Sequence, residues 1–420
     1  MFDRAYRQRL EADLVRWEAD GVITPAVLTS IRAALPPLAP GVNIAIMVAI
    51  VGGLLIAAAF LAFVAAHWTE IPRLLRLAML FAGILISHGL GGWFARSGQP
   101  VLADLSAAVG ALIFGAAIAL IGQMYHLGGD FAGGMLLWAM GALVAAALTG
   151  SRGALAVALA AATIWSWMRT YEMGDPHFVF AAFWLVAGGL ALAWNSRVAA
   201  HLVAVAAIPW WMSSAFQLHA DFRASFALAN GAALIFGGGL ALAASPQPRA
   251  NQAGSVLSTY GAFSLAGVAI LEAIMANEVF RLRVGLANQP LWIIACGAAG
   301  VILAFAAAAS TRRAGTAFAA IAIGLALAAT ALWTPRQTGD PWLVYAALLC
   351  AMLSLVVSGM LDDVRPRIVA GWLGIAGVIA AITWAVKGSL LKRSIFLATS
   401  GIVAVVLAFG LNRFVPRSRE

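Results

Sequence analysis

From Asn43 to Phe414 the apolar positions run in fourteen long stretches, broken only by short polar or Gly/Pro-containing turns. A helix needs about 20 largely apolar residues to cross the hydrocarbon core of a bilayer. The stretches fall at 43–66, 74–95, 101–125, 133–149, 153–169, 177–195, 198–219, 224–244, 255–277, 290–310, 314–334, 341–361, 366–387 and 393–413. The pattern predicts an all-α, polytopic transmembrane helix bundle of about 14 spans. Ahead of it, residues 1–41 follow a different rhythm. Tyr6, Leu10, Leu14 and Trp17 recur at three- and four-residue spacing, which makes one apolar stripe on a helix. Gly21 stops that helix, Thr24 offers an N-cap hydroxyl, and Pro25 suits a first helical position because its missing N–H would be unpaired there. Leu28, Ile31 and Leu35 continue a second stripe until Pro36, Pro37, Pro40 and Gly41 end it. The division is therefore 1–41, a cytoplasmic amphipathic helical hairpin and Pro-rich linker; 42–414, the bundle; and 415–420, a short cytoplasmic tail. Two readings of the hairpin stand. It lies on the bilayer or on the protein's own loops, or it docks a cytoplasmic protein partner.

Composition agrees with the pattern. Hydrophobic residues make up 63% of the chain and charged ones 10%, against about 45–50% and about 25% in soluble domains. The net charge of +9 raises a nucleic-acid reading, but the arginines are scattered at span ends, which is how a membrane protein uses them. The partner is the lipid bilayer. The opening FDRAYRQRLEADLVRWEAD lacks the apolar core of about 7–15 residues that a cleavable signal peptide needs, so the N-terminus is expected to be retained and cytoplasmic. An even number of spans puts both termini on one side. With that side cytoplasmic, 16 of the 26 Lys+Arg fall inside, which is the orientation the positive-inside rule favours. The excess of Arg and Ala over Lys points to a GC-rich bacterial genome.

In this orientation the polar residues gather at the outer ends of the spans. His67 and Glu70 lie in the first outer turn, and Gln123, Tyr125, His126 and Asp130 in the second. Asp175 and His177 belong to the third; His219, Asp221 and Arg223 belong to the fourth. An amide at the depth of Gln123 is costly in lipid and so faces protein or water. Gly128 and Gly129 allow a tight reversal, and Asp130 is placed to cap the next helix. Gln123, Tyr125, His126 and Asp130, with His67 or Glu70, thus form a candidate polar site; anchoring at the headgroups and turn capping is the alternative. Inside the spans Glu272 is a candidate by default, since carboxylates are rare in the membrane. Asn230, His88 and Asp104 are polar at comparable depth, and Arg281 or Arg283 lies within reach of Glu272. Pro209, before Trp210 and Trp211, is expected to kink its span.

The chemistry of a cofactor or a metal has no sequence signature. No two histidines have the i, i+4 spacing of a helical metal motif, and Walker, HExxH, paired-cysteine and GxSxG motifs are missing. Cys296 and Cys350 each sit in an apolar stretch as small core residues. Glycine-rich patches such as Gly237-Gly238-Gly239 fit close helix packing. Gly174-Asp175-Pro176 and Gly339-Asp340-Pro341 both precede an apolar span, six spans apart, as a parallel repeat or a shared N-terminal signal would.

The ordered motifs LVRWEADGVIT, AAHWTEIPRLLRLAML and IGQMYHLGGDFAGGMLLWA resemble the bacterial membrane-protein family called domain of unknown function 2157. The ending AVKGSLLKRSIFLATSGIVAVVLAFGLNRF resembles that of the related domain of unknown function 4401, with Arg393 and Ser394 where a Lys-Ser pair is usual. The resemblance implies a polytopic inner-membrane protein and carries over no catalytic residue. Three functions are expected in descending order. The first is a transporter or permease-like protein for a small solute or lipid-linked group. A non-transporting scaffold or regulatory component comes second, and an intramembrane enzyme third.

Overall fold

The structure, a computed structural model, describes residues 2–34, 51–52, 55, 59, 62, 71–126, 128, 130–218, 224–277, 291–332 and 342–385. Fourteen helices lie among them, and they are taken here in two units.

The first unit holds α1 (Phe2–Ala19) and α2 (Pro25–Ala34). Gly21 takes φ +68°, a left-handed conformation that glycine adopts without strain, and Val22 N–H returns to the Trp17 carbonyl at 2.8 Å. The Thr24 hydroxyl accepts from Val27 N–H at 3.4 Å, and Pro25 is the first residue of α2, as the sequence predicts. Leu14 and Leu28 are buried, while Arg32 pairs with Glu11 at 3.1 Å across the two helices.

The second unit is a helical bundle. Its members are α3 (Arg73–Arg96), α4 (Pro100–Met124), α5 (Phe131–Thr149), α6 (Arg152–Met173), α7 (Val179–Ala193) and α8 (Arg197–Leu218). They continue as α9 (Ala224–Ala243), α10 (Pro248–Asn277), α11 (Leu291–Thr311), α12 (Ala314–Leu332), α13 (Trp342–Leu361) and α14 (Arg365–Ala385). These twelve follow the second to thirteenth expected spans in order. Ten are long and apolar enough to cross a membrane. The other two are α6, which carries Arg169 and Glu172 toward its end, and α7, which is apolar but only 15 residues long. The first and last expected spans lie outside the described residues.

Two buried cores run through the bundle. One is built from α4 to α8 around Leu155, Phe180 and Ala199; the other from α8 to α14 around Phe236, Leu265, Ile323 and Met352. Both are dominated by alanine, because helices in lipid gain little from burying apolar bulk and associate through close van der Waals contact at small residues. The antiparallel α9–α10 pair shows this best. Gly254 lies against Ala243, Gly239 against Ser258 and Gly261 against Phe236, each with backbone where a Cβ would stand.

Aromatic rings connect the two cores. Phe180 stacks on Trp210 at 5.3 Å, Trp210 meets Trp211 at 6.0 Å, and Trp211 meets Trp292 of α11 at 6.1 Å. The indole N–H groups are satisfied as buried Trp requires: Trp210 donates to the His177 carbonyl at 3.1 Å and Trp211 to that of Ala227 at 3.0 Å. Pro209 lies inside α8 just before this pair, at the point where the sequence predicts a kink.

The helices α12–α14 follow α6–α8 at an offset of six, the offset of the Gly-Asp-Pro similarity. The packing does not follow it: α6 packs on α8, whereas α14 packs on α10. Gly339, Asp340 and Pro341 lie outside the described residues.

Candidate functional site

The α4–α5 turn holds four of the expected polar residues. Tyr125 ends α4, His126 takes a left-handed φ of +47°, and Asp130 occupies the N-cap position of α5. Gln123, Tyr125 and His126 are exposed, and among the described residues their side chains form no hydrogen bond to one another or to Asp130. His67 and Glu70 lie outside the described residues, as do His219, Asp221 and Arg223. What meets Asp130 instead is Arg169 at the end of α6, which also holds Glu172 at 2.9 Å. The Asp130 carboxylate faces the free Gly133 N–H without a cap bond of regular geometry, and that N–H, then Arg169, holds its pKa below the usual carboxylate value. Arg169 is an arginine at a span end, so the sequence reads it as a topology signal. Only the antiparallel α5–α6 pairing brings it to the start of α5.

Beside this triad lies His177, buried in the α6–α7 turn. Its Nδ1 meets the Ser166 hydroxyl at 3.3 Å, and the Trp165 ring packs edge-on at 4.4 Å. Burial, then the charge of Arg169, pushes the imidazole pKa below its ordinary 6.5. The unfolded chain therefore binds this proton at a higher pH than the folded one. Stability contributed by neutral His177 is full above 6.5 and is lost as pH falls through that value toward the folded pKa. The melting temperature of purified protein should fall as pH is lowered across this window, and His177→Gln should flatten the slope. An unchanged slope in the variant would assign the acid sensitivity elsewhere.

Glu272 and Asn230 sit in the second core. Glu272 on α10 is 5% exposed, and the register that sets Gly261 against Phe236 brings it opposite Ser225 of α9, to which it hydrogen-bonds. None of the ion pairs among the described residues involves Glu272, and Arg281 and Arg283 lie outside those residues. Asn230, also buried, donates its Nδ2 to the Phe226 carbonyl at 2.8 Å and sets its Oδ1 against Gly297 of α11. Ser214 of α8 and Tyr345 of α13 bury hydroxyls with no hydrogen-bond partner among the described residues.

At the opposite end of α4, Asp104 organises a second polar locus. Its Oδ1 accepts from the Ser151 hydroxyl at 2.6 Å and from Gly153 N–H at 3.0 Å, and its Oδ2 accepts from Arg152 Nε at 3.1 Å. Ser151 in turn caps α6 by accepting from Ala154 N–H at 3.0 Å. Above this network a cleft of about 380 Å³ opens, with His88 of α3 on its other wall. Asp104 and His88 are recognisable in the sequence as polar residues in apolar spans; their shared cleft is not.

Among the described residues no three His, Cys, Asp or Glu side chains converge as metal ligands, and Cys296 and Cys350 are free.

Residues 15–155 match the model of a family described as predicted membrane protein (DUF2157). No curated protein and no solved structure matches the chain. The matched stretch includes α3 to α5, the Asp130 turn and the His88–Asp104 cleft. The match does not reach residues 386–414, which lie outside the described residues, and the expected likeness to domain of unknown function 4401 is not shown. The protein is a multi-pass membrane protein whose residues 15–155 are similar to that family.

Proposed function

We propose that the protein is transporter-like, moving a small solute or lipid-linked group, with Glu272 as its proton- or cation-exchanging residue. The observation that supports this is Glu272 itself, buried in a core of apolar helices with Ser225 as its partner. A carboxylate in a membrane span is expensive to keep and is typically retained on ion and substrate pathways. The hydroxyls of Ser214 and Tyr345, without a partner among the described residues, add hydrogen-bonding capacity to the same core. The test is proteoliposomes loaded with a pH-sensitive dye and challenged with a panel of amino acids, dicarboxylates and sugars. A solute-dependent change in internal pH is expected, falling about tenfold or more in Glu272→Gln. A Glu272→Gln protein with the wild-type response would remove Glu272 from the mechanism.

The hairpin favours a second reading, as a scaffold or regulatory component. Val15, Val22 and Val27 on α1, its turn and α2 are exposed, an apolar surface suited to a partner or a bilayer. Deleting residues 1–37 should then leave insertion and the solute response intact while abolishing regulation.

The same proposal sets the protein in a bacterial inner membrane with both termini cytoplasmic. Reporter fusions after Arg96 and Arg249 should be cytoplasmic, and one after Asp130 periplasmic. The reverse pattern would invert the map.

A further inference from the structure

The Asp104 cleft is built from groups whose hydrogen-bonding roles are fixed. Arg152 spends its Nε on Asp104 Oδ2, which locks the guanidinium while its two Nη groups stay unused among the described residues. Its side chain is 39% exposed, so that edge is reachable. Asp104 does not repel an incoming anion strongly, because both carboxylate oxygens already accept from Ser151, Gly153 and Arg152. Across the cleft, His88 Nδ1 lies 2.9 Å from the Ile84 carbonyl oxygen. A carbonyl only accepts, so Nδ1 carries the proton and Nε2 of the neutral ring is an acceptor. The cleft therefore offers a rigid bidentate anion donor and, opposite it, one acceptor for a hydroxyl.

Its position narrows the ligand further. The cleft lies where α3 ends and α4 and α6 begin, at the boundary between apolar spans and water. Of the helix α3, only Leu80, Ser87 and Gly91 are buried, so most of the helix that walls this side of the cleft is exposed. Gly92 lines the cleft, and a Cβ there would meet nothing within 4 Å. Guanidinium groups hold phosphate oxygens in a two-pronged fashion, which suits this geometry.

We propose that this cleft binds a phosphate ester carrying a free hydroxyl, with the Arg152 Nη edge on the phosphate and His88 Nε2 on the hydroxyl. A polyol-headed anionic phospholipid and a free phosphate compound share this chemistry.

The test uses full-length protein in detergent, followed by native mass spectrometry and thermal unfolding. Short-chain phosphatidylglycerol, short-chain phosphatidylcholine and glycerol phosphate are titrated separately. Phosphatidylglycerol should bind and raise the melting temperature, and phosphatidylcholine should bind about tenfold or more weakly. Glycerol phosphate protecting as well as phosphatidylglycerol would support the same site and assign it to a free phosphate ester. Arg152→Gln should weaken binding, but it also removes the Asp104 partner and is open to a folding defect. Gly92→Leu is the decisive variant, because Gly92 lines the cleft, its Cβ position is open, and the rest of the side chain would extend from there. It should keep the wild-type melting temperature without ligand and lose phosphatidylglycerol binding by about tenfold or more. Undiminished binding in Gly92→Leu, or equal binding of the two lipids, would overturn the proposal.

Discussion

Asp362→Ala should lower the stability of the protein by about 3–5 kcal/mol, the usual cost of stranding one member of a buried ion pair. Asp362 ends α13 and Arg367 begins α14; their side chains are 5% and 7% exposed, and they pair at 3.0 Å. The same carboxylate oxygen accepts from the Thr316 hydroxyl of α12 at 2.9 Å, while its other side packs on Gly315. One carboxylate thus joins three helix ends. Without it, among the described residues the Arg367 guanidinium keeps only the Ser358 hydroxyl at 3.2 Å, and its Nε has no partner there. Thermal unfolding of purified protein measures the loss. The double variant Asp362→Ala, Arg367→Met should regain part of it, because no charge is then left buried. Arg152→Ala, which breaks a half-exposed pair, should cost far less, about 1 kcal/mol. An Asp362→Ala protein that melts like the wild type would show that water reaches Arg367.

The contrast between these pairs explains what the sequence reveals and what it hides. Span positions are legible because lipid imposes a length and a composition on each helix, and turn residues such as Gly21, Thr24 and Pro25 act through their own backbones. Asp130 was legible as a cap position for the same local reason. Its partner was not, since Arg169 lies 39 residues away and meets it only through helix pairing. The same holds for Asp104, whose three donors come from residues 151–153. Glu272 stood out as a carboxylate in an apolar run, yet its opposition to Ser225 depends on the α9–α10 register. That register is written in glycines, which hydropathy reads as featureless. Side-chain chemistry at a distance is therefore the part that composition and periodicity do not carry.

The three consecutive glycines of α9 should respond in opposite directions to the same substitution. A Cβ on Gly237 would strike the Gly300 backbone of α11, and one on Gly239 would strike the Ser258 backbone of α10. Backbone atoms cannot rotate aside, so Gly237→Ala and Gly239→Ala should each cost about 1–3 kcal/mol or more by forcing packed helices apart. A Cβ on Gly238 meets nothing within 4 Å. Gly238→Ala should be neutral or stabilise by about 0.5–1 kcal/mol, because alanine loses less backbone freedom than glycine in a helix. Melting temperatures of the three purified variants, measured side by side, decide the matter. Equal damage at all three would mean that the Gly238 face is also packed, against a second copy or a tightly held lipid. Harmless Gly237→Ala would mean that α9 and α11 stand further apart. The outcome bears on function as well as packing, since the α9–α11 contact continues from Gly237 to Asn230 against Gly297. A change that separates α9 from α11 therefore also loosens the wall holding Asn230, and Ser225, the partner of Glu272, belongs to the same helix. Gly237→Ala should accordingly weaken any solute response that depends on Glu272, while Gly238→Ala should leave it intact.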